Sequence, residues 1–172
     1  GSYQLGEIPS QSSIILYANK EEYRGAVILF DSNDEDKTLK GISMAPASLA
    51  ESQHNLLGVE PVQNTGTIAF SISNGVDGDG INVDSVRVSL GAGDGPFYTN
   101  PAGLPDTEQE VTSSNGGGLF VNVPVGEHQL VHENIPSGCH TLFGWGGPAS
   151  LGLQVIADHV TYARIECNAE NE

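Results

Sequence analysis

Asp77-Gly78-Asp79-Gly80-Ile81-Asn82-Val83-Asp84 packs three carboxylates and one carboxamide into eight residues. Its glycines let the backbone fold tightly enough to wrap oxygen ligands around a hard cation. Calcium is the cation that such a set would take, on Asp77, Asp79, Asn82 and Asp84. An EF-hand loop needs an acidic residue at its twelfth position, however, and counting from Asp77 that place is Val88. An acidic β-turn without a metal is therefore the competing reading. Asp31, Asn33 and Glu35 alternate in a second acidic cluster and raise the same two alternatives.

A different chemistry is offered by the aromatic residues. Trp145 is the single tryptophan and stands between Gly144 and Gly146, while Phe97 and Tyr98 are adjacent within a segment, 91–110, that carries four glycines and three prolines. Flat rings beside polar loops suit the stacking of sugar rings, so Phe97, Tyr98 and Trp145 are candidate ligand contacts. The alternative is that they plug the ends of a sandwich. His128 and His132 share one face of a straight strand, but at about 3.3 Å per residue they stand about 13 Å apart, too far for one metal. His54, His140 and His159 have no partner nearby in sequence. Serines are plentiful, yet no Gly-x-Ser-x-Gly elbow occurs. No catalytic constellation emerges, and the chain reads as a binding or structural protein and not as an enzyme.

Cys139 and Cys167 are the two cysteines, with no CxxC spacing and no zinc-like His neighbour. A disulfide between them is the expected state, which places the chain in an oxidising compartment; two buried thiols are the alternative. The 172 residues suffice for one well-filled core. With 6 Lys+Arg against 22 Asp+Glu, the net charge of −16 repels phosphate backbones and anionic membranes, so nucleic acid is excluded as a partner class. Apolar runs are strand-sized, with no candidate for membrane insertion. Gly1-Ser2 reads as a cloning remainder, so a leader or a lipid anchor would belong to a segment outside this sequence.

The elements that must position these residues are mostly strands. Residues 1–13 are polar, with Gly6, Pro9 and several serines, and are expected to form a leader arm. In 14–60 a hairpin buried on both faces, built from Ser13 to Ala18 and Gly25 to Phe30, is followed by one short helix over 48–57. Pro46 opens that helix, Gly58 closes it, and Leu49, Gln53, Leu56 and Leu57 set its spacing. This unit is expected to pack on the main body, residues 61–169. There Ile68, Phe70 and Ile72 alternate on one face of a strand, as do Val86, Val88 and Leu90. Further strands follow over 119–123, 129–132, 151–156 and 160–165, with Phe120 and Leu130 directed inward. Closely spaced strands punctuated by Gly, Pro, Asn and Asp predict an all-β antiparallel sandwich of prealbumin or immunoglobulin-like type, with one short helix and long loops.

Three stretches carry a family resemblance. They are Ile72 to Ile81 followed by Asp84 to Leu90, then Gly117-Gly118-Leu119-Phe120-Val121-Asn122-Val123-Pro124-Val125-Gly126 running on to Leu130, and finally Val155 to Thr161. Together the segment from Gly66 to about Asn168 resembles the carboxypeptidase-regulatory-like and Cna B-type modules of bacterial surface proteins. The resemblance implies a non-catalytic secreted or cell-surface module whose partner is a protein or a glycan, acting in adhesion or assembly. A carbohydrate-binding accessory role through the aromatic loops is the alternative it leaves. Lys20, Lys37 and Lys40 lie outside the resembling segment, which disfavours the Lys-to-Asn cross-link of some such modules.

Overall fold

The computed structural model describes residues 6–32, 43–74 and 83–167. Ser13–Ala18 (β1) and Gly25–Asp31 (β2) pair antiparallel, with Ile15 opposite Leu29 and Ala18 opposite Ala26. Only β2 is buried throughout its apolar run, from Gly25 to Phe30. The expectation of a hairpin buried on both faces fails for β1, where Tyr17 is 52% exposed. The cause is position: β2 has neighbours on both sides, whereas β1 ends its sheet.

Ala47–Leu57 forms the helix, α1. Gly58 closes it at φ 66°, a left-handed conformation open to glycine, and its N–H donates to the Asn55 carbonyl. The inward face is Ala50, His54 and Leu57; of the leucines that set the helical spacing, Leu49 and Leu56 are 47% and 61% exposed. Leu57 shares the buried face with a small and a polar residue, so that face is not the one richest in leucine.

The remaining strands are Thr65–Asn74 (β3), Arg87–Ser89 (β4), Asp94–Thr99 (β5), Pro105–Asp106 (β6), Gly117–Pro124 (β7), Gly126–Glu133 (β8), Cys139–Phe143 (β9), Trp145–Gly147 (β10), Ser150–Val155 (β11) and His159–Cys167 (β12). An eight-stranded sheet runs β1-β2-β12-β3-β7-β5-β6, with β9 also against β12, and a four-stranded sheet runs β10-β11-β8-β4. The segment read as a long loop, 91–110, thus supplies two strands.

The two sheets enclose one core. Val27, Leu29, Ile68, Phe70 and Ile72 from the larger sheet share it with Val88, Leu130, Leu151, Leu153 and Val155 from the smaller. All the inward residues expected from alternation are buried except Leu90, which lies partly buried at the rim. The sandwich is as anticipated, but its pairing is mixed: β12 runs parallel to both β2 and β3. β2 and β3 flank β12 and so run parallel to each other, and the connection between them, which carries α1, is the crossover that this direction requires. The uninterrupted apolar run of β2 is the corresponding signature, since strands covered on both faces do not alternate.

Glycines 116 and 118 are required by close approach. A side chain on Gly116, at φ 67°, would collide with the Ile72 carbonyl, and one on Gly118 would collide with the Phe70 ring. Cys139 and Cys167 face each other across β9 and β12 and are joined as a disulfide.

Tyr98 is buried in this core, its ring edge-on to Phe70 at 5.9 Å. Its hydroxyl accepts the Val88 N–H at 2.8 Å, tying β5 to β4 across the sandwich. Burial raises its pKa. Tyr98→Phe leaves a buried N–H unpaired and is expected to cost about 1–3 kcal/mol in denaturant unfolding. An unchanged midpoint would show that the hydroxyl bond contributes nothing.

Candidate functional site

The smaller sheet builds the main recess from three strands. Trp145 of β10 stands opposite Gly152 of β11, and Gly152 in turn opposes Gln129 of β8, so the three form one cross-strand row. Gly152 sits directly against Trp145: a Cβ there would make an ordinary contact, 3.6 Å from the Trp145 Cβ. Glu127, His128, Gln129 and Leu153 complete the lining of a recess of about 320 Å³. His128 Nε2 lies 2.7 Å from the Pro124 carbonyl oxygen. Because a carbonyl can only accept, this nitrogen carries the hydrogen. The indole Nε1 is buried without a hydrogen-bond partner among the described residues. An indole flanked by a carboxylate, a carboxamide and an imidazole can hold a ligand by ring contact and hydrogen bonds.

The structure divides the expected aromatic contacts. Tyr98 is a core residue and presents no face for stacking. Phe97 is half-buried in a separate small cluster with Leu57, Val59, Leu119 and Val121. Trp145 alone of the three lines the recess, and even it packs partly against the main core. Glu127, His128 and Gln129 are the neighbours that sequence reading missed as a set. Their meeting with Trp145 depends on the register of β8, β11 and β10, which no local pattern encodes.

Of the calcium candidates, Asp77, Asp79 and Asn82 lie outside the described residues. Asp84 is exposed, and its Oδ1 accepts the Ser85 hydroxyl at 3.4 Å. In the second acidic cluster, Asp31 accepts the Ser13 hydroxyl at 2.8 Å, while Asn33 and Glu35 are also outside the described residues.

The histidines are scattered. His54 Nδ1 lies 2.9 Å from the Ala50 carbonyl, His159 Nδ1 lies 2.7 Å from that of Ala157, and His140 is exposed. His132 is buried opposite Val88, and burial pushes its pKa down to about 4, opposed in part by a hydrogen bond to the Pro148 backbone. Burial also raises the Tyr162 pKa; its hydroxyl donates to the Ser43 carbonyl at 2.7 Å. A second, smaller recess of about 180 Å³ includes Arg24 and Asp158, 3.7 Å apart. Asp158 is 87% exposed, so that pair contributes little to stability. Among the described residues no helix is long and apolar enough to cross a membrane.

No protein-family model matches the chain, and no curated protein matches it. Among solved structures, the minor pilin of the Gram-positive pathogen Streptococcus agalactiae is similar at a TM-score of 0.40 and 18% identity, over 89% of this chain and 56% of that one. The chain therefore spans little more than half the length of that pilin.

Proposed function

We propose that this chain is a non-catalytic module of a secreted or cell-surface protein, acting in adhesion or assembly with a protein partner. The observation that carries the reading is where the fold displaces acid–base behaviour. Catalytic sites gather groups with displaced pKa values in a cleft. Among the described residues His132, Tyr98 and Tyr162 are displaced mainly by burial, and none of them lines the Trp145 recess or the Arg24 recess. The Cys139–Cys167 bond supports an exported location, because structural disulfides persist in oxidising compartments. The acidic surface favours solubility there and disfavours nucleic acid.

A second reading, carbohydrate binding, is favoured by the Trp145 recess with its polar neighbours. Screening the purified chain and Trp145→Ala on a glycan array separates the two. The protein-partner reading expects no glycan signal that depends on Trp145. A signal lost in Trp145→Ala would assign the module to glycan binding instead. Specific turnover abolished by changing one acidic or histidine side chain would overturn both readings.

A further inference from the structure

Five strands have a side that pairs with no other strand among the described residues, β1, β6, β9, β10 and β4, and three of them are blunted. β6 has two residues, one of them Pro105 and the other the charged Asp106; β4 has three, starting at Arg87; β10 has three, two of them glycine. Short strands, proline and charge are what protects a sheet edge from pairing with another chain. Of the other two, β9 is five residues and is tied to β12 by the Cys139–Cys167 bond, whereas β1 is six residues of Ser-Ile-Ile-Leu-Tyr-Ala with no charge, proline or glycine. Among the described residues its outer side pairs with no strand.

The ladder fixes which backbone groups that side presents. Ser32 donates its N–H to the Ser12 carbonyl at 2.8 Å. Bonded and unbonded pairs alternate along an antiparallel ladder. Ile14, Leu16 and Ala18 therefore bond toward β2, and Ser13, Ile15 and Tyr17 turn their N–H and C=O groups outward. Ile15 also packs against the main core, which anchors the strand.

We propose that β1 is the docking edge for a second copy of this chain, the two β1 strands pairing antiparallel about a two-fold axis at Ile15. In that register Ile15 meets Ile15, Ser13 meets Tyr17, and Ile14 meets Leu16. Every outward N–H and C=O of Ser13, Ile15 and Tyr17 then finds a partner, and both core faces stay on the same side of a continuous sheet. No like charges are brought together along the strands. Across the hairpin, Ser13 to Asp31, Lys20 and Arg24 stand against Glu21, Glu22 and Asp31, a net charge of −1 in a chain of net charge −16. A second copy docked along the hairpin therefore meets little local repulsion. The remaining long-range repulsion is screened by salt, so association strengthens as ionic strength rises.

This inference deepens the assembly reading above, but its test is separate from turnover, glycan binding and export. Sedimentation across a concentration series in about 0.5 M salt, with amide hydrogen exchange on the same samples, is the experiment. A dimer is expected, in which Ser13, Ile15 and Tyr17 amides gain protection with concentration while Ile14, Leu16 and Ala18 are protected throughout. Tyr17→Pro removes an outward N–H that β2 does not use, and should weaken dimerisation at least tenfold; Tyr17→Lys, a milder edge charge, should weaken it without altering the backbone. A chain that stays monomeric at its highest soluble concentration overturns the proposal and leaves the surface-module reading standing. So does a dimer indifferent to both variants, or a monomer whose edge amides are protected only when an extended peptide is added, which would assign β1 to another partner.

Discussion

Replacing Cys139 and Cys167 together by alanine is expected to lower the unfolding free energy by about 3–4 kcal/mol, the chain-entropy value for a closed loop of this size. The two cysteines are 28 positions apart, and the loop they close contains β10, β11 and most of β9 and β12. Freeing it enlarges the unfolded ensemble without removing a core side chain other than the buried Cys167 sulfur. The consequence reaches beyond β9, because β12 is the strand between β2 and β3. Its C-terminal end holds β9 antiparallel through Cys167 while its N-terminal part holds β2 in parallel. For a chain of this length the expected fall in thermal midpoint is about 10 °C, measurable by calorimetry with equal protein concentrations. A loss below about 1 kcal/mol would mean that the bond records the proximity of the two strands but does little to hold them.

The second large effect is on pH dependence. His132 is neutral in the fold, with a pKa near 4, against 6.5 for an unfolded histidine. Above pH 6.5 neither state takes a proton there, and the residue adds no pH dependence. As the pH falls through 6.5 the unfolded chain binds a proton that the folded chain refuses, so stability drops. The drop continues until the folded side chain protonates near pH 4, where it levels. The difference between those two values corresponds to about 3 kcal/mol. His132→Gln removes the titration, and its stability should fall less than that of the parent between pH 7 and pH 4 by about this amount. Parallel profiles for parent and variant would show that the buried ring accepts a proton at little cost, contrary to its setting opposite Val88.

Most of the strands were legible because their signals are local. Ile68, Phe70 and Ile72 point the same way whatever lies across from them. The disulfide was legible because no other chemistry suited the pair. Three things were hidden for physical reasons. The partnership of β2 and β3 with β12 joins segments more than 80 residues apart, and nothing in a strand's own sequence names its neighbour. The buried face of α1 sets Leu57 beside Ala50 and His54, which a spacing of leucines does not reveal. Tyr98 looked like a surface ring in a glycine- and proline-rich loop, but its alternation within β5 sends it inward, where Val88 satisfies its hydroxyl. The Trp145 recess was half legible: the tryptophan was noticed, whereas Glu127, His128 and Gln129 reach it only through the register of three strands.

The central claim, that this is a module displayed outside the cell, is tested most directly by treating intact producing cells with an added protease while thiols are blocked with an alkylating agent. The account predicts that peptides bearing Cys139 and Cys167 appear in the supernatant before lysis, joined to each other and unalkylated until reduced. Release only after lysis, with both cysteines alkylated as free thiols, would contradict it.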